Sequence, residues 1–164
     1  MTALLTWLQR RAENLLVLMI TAMFVAFILQ IVFRYFLNLP VAWTEEVCVL
    51  AWLWGILWGS AFVTRDAEEI RFDMVYSHVS PKTRRIFRAV AGAIFIVVMG
   101  IALPATWGFV SFMKVESSAA LAIPFNWVFS IYIVFAVAMM VKHALIVWHA
   151  IRGTEASAAE AAGA

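Results

Sequence analysis

Four stretches without a charged residue alternate with short charged segments along this chain, and they set its secondary structure before any finer pattern is read. Glu13 and Arg34 bracket twenty uncharged residues, Glu46 and Arg65 eighteen, Arg88 and Lys114 twenty-five, and Glu116 and Lys142 another twenty-five. A helix rising about 1.5 Å per residue needs roughly 20 apolar residues to cross a hydrocarbon core of about 30 Å, so each stretch is long enough to span a bilayer. The pattern predicts an all-α membrane protein of four transmembrane helices, at about 14–36, 44–64, 86–113 and 124–151. These form a single membrane domain, 1–152, followed by a tail, 153–164, of Ala, Ser and Glu that is expected to be disordered.

Breakers and caps refine the boundaries. Asn38 and Pro40 interrupt the chain between the first two spans. Thr44 is expected as the N-cap of the second helix, with Glu45 and Glu46 in its first turn, where the helix dipole favours negative charge. Ser80 and Pro81 read as the N-cap and first residue of the third helix. Between the second and third spans, Ile70, Met74, Val75 and Val79 recur at helical spacing among charges, which predicts a short helix lying in the headgroup layer. Ala119 to Ile123, before the fourth span, is apolar enough to touch the membrane. The apolar run after Arg10 and Arg11 is too long for a signal-peptide core and lacks a small-residue cleavage pattern, so it is read as a retained span.

Composition agrees: 65% of residues are hydrophobic and 13% charged, against about 25% charged in soluble domains. Ten basic residues (two before the first span, six between the second and third, two at the end of the fourth) fall on one side, and only Arg34 and Lys114 on the other. Because Lys and Arg favour the cytoplasmic side, both termini are expected inside. The net charge of +2 then speaks for phospholipid contact and not for nucleic acid.

The spans hold little that could do chemistry. An ionisable group in a span costs at least about 2.5 kcal/mol unless compensated, and the spans contain almost none. Thr21, Gln30 and Thr106 are polar but neutral and suit interhelical hydrogen bonds. Lys142 can snorkel to the headgroups. His143 and His149 do not share the face that haem ligation would need, and the lone Cys48 is a small packing residue. No metal-ligand spacing, phosphate loop or nucleophile elbow is present, so neither an enzyme nor a cofactor is expected.

Packing material is abundant instead. Ala51, Gly55 and Gly59 make one flat stripe on the second helix, with Trp54 and Trp58 on a shared face beside it. Gly92, Gly100, Pro104 and Gly108 share a face of the third helix. Such stripes serve either internal packing or a partner helix, and the sequence leaves both open. The mid-membrane tryptophans need partners for their N–H groups, from another polypeptide or from within the chain.

Arg34 and Tyr35 closing the first span, Trp43, Thr44, Glu45 and Glu46 opening the second, Gly59 near its end, and Arg65 followed by Ile70, Arg71, Phe72 and Asp73 together resemble the small Q subunit of tripartite ATP-independent periplasmic (TRAP) transporters. Leu121 to Pro124 adds to the likeness, which runs from about residue 10 to 150. One departure is Glu69, where the family pattern leads one to expect histidine. The resemblance implies a bacterial inner-membrane component of a sodium-coupled secondary transporter. A large M subunit would carry solute and sodium, a periplasmic binding protein would deliver the solute, and this chain would brace the stationary part of M. Arg34, Glu45 and Glu46 would then belong to an outer rim, and Arg65, Arg71 and Asp73 would hold the inner loop against lipid phosphate or the large subunit. The competing classes are an autonomous small transporter and a membrane-anchor or assembly subunit of another complex. The first would need a carboxylate buried in its first span, and a respiratory anchor would need paired helical histidines; neither is present.

Overall fold

A computed structural model describes residues 2–39, 41–64 and 80–152. The sequence-based expectations for the interfacial helix, for Arg65, Ile70, Arg71 and Asp73, and for the tail fall outside the described residues. Four helices are long and apolar enough to cross a membrane. Helix α1, Thr2–Ile31, continues into a π-helical turn, Val32–Phe36. Helix α2, Ala42–Trp58, likewise ends in a π turn, Gly59–Val63. Helix α3, Pro81–Phe112, closes in the 3-10 turn Met113–Val115, and α4 is Phe125–Arg152. Among the described residues there is no strand, only an isolated bridge between Ser117 and Pro124.

Only 6 to 17% of each helix's most apolar window is buried inside the chain. In water such surfaces would collapse onto one another; left open, they suit contact with lipid or with a further helix.

The chain divides into two compact units, the first comprising Met1–Arg65 with Thr106–Phe135. Within it α1 and α2 run antiparallel, as five contacts show. Trp58 meets Ala12, Gly59 and Gly55 meet Leu16, Cys48 meets Met23, and Glu45 meets Gln30, so numbers rise on one helix as they fall on the other. Small residues make the approach possible: Ala12 and Ala26 on α1 and both glycines on α2 are buried.

The start of α2 differs from expectation. The helix begins at Ala42 with Val41 as its extended cap and no side-chain capping bond. Thr44 lies inside the first turn, fully buried, and its hydroxyl donates back to the Val41 carbonyl at 2.9 Å. A buried hydroxyl must find a partner, and the carbonyl three residues back is the one within reach. Glu45 is the acidic residue of that first turn, and Glu46 follows it.

In the same unit, the connection from α3 to α4 is a tight hairpin-like turn. Phe125 N–H donates to Glu116 O at 3.0 Å and Ser118 N–H to Ile123 O at 2.9 Å, while the Ser118 hydroxyl accepts Ile123 N–H. Ala122 sits at φ 51°, a left-handed conformation that a non-glycine residue adopts only when its surroundings hold it there.

The second unit comprises Asp66–Ala105 and Ala136–Ala164. Ser80 performs the expected cap: its hydroxyl meets Thr83 Oγ1 at 2.9 Å and accepts a long bond from Thr83 N–H. Gly92 of α3 lies against α4, where an added Cβ would come within 2.8 Å of Val147 Cγ2. Phe95 stacks on His143 with ring centres 4.1 Å apart, and His143 Nδ1 pairs with Met139 O. Arg85 donates through Nε to Ala150 O and through Nη2 to Ile151 O. Those carbonyls belong to the last described turn of α4, so Arg85 ties the beginning of α3 to that turn.

Candidate functional site

The residues singled out in the sequence fall into two groups, an interhelical seam and a polar rim. In the seam, Gly55 and Gly59 present bare backbone to Leu16 of α1. A Cβ on Gly55 would stand 3.7 Å from Leu16 Cδ1, and one on Gly59 3.2 Å from Leu16 Cδ2. Ala51, one turn earlier, is partly buried. The stripe on α2 therefore receives a side chain of the same polypeptide. On α3, Gly92 is covered by α4, whereas Gly100 and Gly108 face open space.

Trp54 and Trp58 meet backbone. Trp54 Nε1 donates to the Val128 carbonyl at 3.1 Å, and Trp58 Nε1 to the Ala12 carbonyl at 3.1 Å. An unpaired N–H in hydrocarbon costs several kcal/mol, so each indole is pinned to one orientation. Trp58 also tilts onto Phe62 with centroids 4.5 Å apart. Thr21 bonds Val17 O of its own helix at 2.8 Å, whereas Gln30 reaches from α1 to α2.

The rim is built at the end where α1 gives way to α2. Glu46 accepts two backbone bonds, from Ala120 N–H at 2.7 Å and Leu121 N–H at 2.8 Å. One carboxylate thus takes two backbone donors at the tip of the α3–α4 turn, next to the left-handed Ala122. Glu45 accepts the Gln30 amide at 2.9 Å. Arg34 comes from the π turn, where Leu37 N–H bonds Val32 O at 3.2 Å and the chain turns away through Asn38 at φ 53°. Arg34, Glu45, Gln30, Val41 and Ala42 line one small cavity of about 260 Å³. Among the described residues no ion pair closes Arg34 onto Glu45. Tyr35, Phe36 and Trp43 stand exposed beside it.

Among the described residues no three His, Cys, Asp or Glu side chains gather where they could hold a metal ion. Thr21, Gln30, Cys48, Trp54, Trp58 and His143 bond to backbone or to another side chain. Compared with known families, residues 23–153 match the family model described as tripartite ATP-independent periplasmic transporters, DctQ component. The chain belongs to that family. No curated protein matches it closely enough to count as a relative.

As a DctQ-family chain it is a multi-pass component of a transport system. The motif residues Arg34, Tyr35, Trp43, Glu45 and Glu46 are brought to one end of the α1–α2 pair, within a few residues of one another in space and sequence. Sequence reasoning missed the partner of Glu46, because backbone N–H groups carry no sequence signature and the turn that aims them depends on Ala122. It also missed the hold of Arg85 on α4, since its acceptors are carbonyls of a helix 65 residues away.

Proposed function

We propose that this chain is the small permease subunit of a sodium-coupled TRAP transporter, acting as membrane framework and anchor for the large elevator subunit. The same reading places it in the bacterial inner membrane with both termini cytoplasmic. It gives the rim of Arg34, Glu45 and Glu46 a share in docking the periplasmic binding protein, and the basic segment with Arg65, Ile70, Arg71 and Asp73 a hold on lipid phosphate or the large subunit.

The observation that carries the reading is a contrast in packing. Trp54, Trp58, Cys48 and Gln30 are each tied down inside the chain, while most of the apolar helix surface is open. A transporter needs a polar path that changes between two states, and a frame needs fixed internal contacts with a wide outer face. The exposed backbone at Gly100 and Gly108 supports close approach by a further helix.

Two measurements test this. Purified in mild detergent, the chain should bring with it a much larger hydrophobic protein, and Gly100→Leu should weaken that association more than Gly55→Ala. Reconstituted alone in liposomes it should move no solute, and sodium-driven uptake should appear only when the large subunit and a binding protein are added. Solute flux from the chain alone would overturn the reading in favour of an autonomous transporter. Stable association with a respiratory enzyme would favour an anchor subunit.

A further inference from the structure

The cavity at the α1–α2 end has an unusual set of groups for its depth. It lies where two membrane spans, Thr6–Phe36 and Ala42–Val63, meet, and its neighbours Tyr35, Phe36 and Trp43 are exposed aromatics of the kind that mark headgroup level. Its lining brings one cation, Arg34, one anion, Glu45, and an amide, Gln30, around about 260 Å³. That is below the roughly 300–1,000 Å³ of drug-sized pockets, room for a headgroup while acyl chains lie along the open helix faces. Gln30 steadies Glu45 from α1, so the carboxylate is held while the guanidinium is left exposed.

We infer that this cavity is a binding site for a zwitterionic phospholipid headgroup with a primary ammonium, the chemistry of phosphatidylethanolamine. The phosphate takes the Arg34 guanidinium, whose fork suits phosphate oxygens. The ammonium donates to Glu45 and to the Gln30 carbonyl oxygen, whose amide nitrogen is already engaged by Glu45. An anionic headgroup would meet Arg34 equally well but would set its second polar end against a carboxylate with nothing to offset the charge. A choline headgroup carries the right charge but no N–H, and the cavity lining contains no aromatic face to receive a quaternary ammonium. Charge and donor count together select the ethanolamine lipid.

The test is lipid retention by the full chain. The chain is exchanged into mixed micelles holding equal amounts of ethanolamine, choline and glycerol phospholipids with the same acyl chains, and bound lipid is read by native mass spectrometry. The wild-type chain should retain the ethanolamine lipid over both others. Glu45→Gln keeps an acceptor for Gln30 and so keeps the local fold; it should lower the ethanolamine-to-glycerol ratio about tenfold, the scale of one charge-assisted bond. Arg34→Gln should lower retention of all three, and Arg34→Lys should restore part of it. Glycerophosphoethanolamine, the same headgroup without acyl chains, should not displace the lipid at equal concentration; displacement would mean that a soluble phosphate compound is the true ligand. An identical lipid profile in wild-type, Glu45→Gln and Arg34→Gln chains, or wild-type preference for the glycerol lipid, would overturn the assignment. The outcome does not depend on whether the chain braces a larger subunit.

Discussion

Trp58 is hydrogen-bonded to the carbonyl of Ala12, so an indole near the end of α2 grips the backbone of α1 near its beginning. The carbonyl also serves its own helix, which makes the tryptophan N–H the party with more to lose. Trp58→Phe keeps a ring against Phe62 and removes the donor, and should cost about 1 kcal/mol. Trp58→Ala removes the ring as well and should cost about 3–5 kcal/mol. Reversible unfolding in micelles, followed for both variants, checks the difference; a Trp58→Phe chain as stable as the wild type would mean that the bond contributes nothing.

The seam between Gly59 and Leu16 should answer to size. The nearest atom to an added Cβ is the end of a flexible leucine, so Gly59→Ala should cost no more than about 1 kcal/mol, whereas Gly59→Leu should separate the helices. Leu16→Ala opens the space again, and the pair should show a favourable coupling of about 0.5–3 kcal/mol. Double-mutant unfolding is the measurement, and simple additivity would be the contrary result.

Gly92 is the less forgiving glycine. A Cβ there would lie 2.8 Å from Val147 Cγ2, on a branched side chain whose rotamers are restricted. Gly92→Ala should therefore destabilise the α3–α4 contact by about 1–3 kcal/mol, and Val147→Ala should rescue it. Crosslinking between cysteines placed on α3 and α4 reads the outcome directly.

Glu46 should govern the tip of the turn between α3 and α4. Glu46→Ala leaves the amides of Ala120 and Leu121 without their acceptor, and their hydrogen exchange should accelerate several-fold while the amides of α2 are unchanged. Glu46→Gln retains one acceptor oxygen and should fall between. Exchange that is the same in all three chains would show that the turn holds itself.

The helices were legible because lipid imposes a simple rule: a span must be long and uncharged, and four such runs are plain between Glu13 and Lys142. The cap at Ser80 was equally readable, since its bond to Thr83 is local. The cap was placed three residues too late, at Thr44 instead of Val41, because a serine-like hydroxyl beside a carboxylate also fits the inside of a first turn, and burial decides between the two. The glycine stripe of α2 was visible at spacing four, but its neighbour was not, since Leu16 looks like any other leucine of α1. Arg34 and Glu45 stood out as rim residues, yet their sharing of one cavity with Gln30 depends on a widened turn that no sequence period announces.

That widened turn recurs, at Val32–Phe36 and again at Gly59–Val63. Each accommodates one residue more than an α-turn, which rotates everything beyond it by about 100° about the helix axis. The leucine–glycine register along the middle of the pair and the aim of the side chains at its tips are thereby decoupled. Insertion or loss of a single amino acid within Val32–Phe36 would re-point the tip while leaving the grip between the two rods untouched, so the rim can change what it presents without the frame having to be rebuilt.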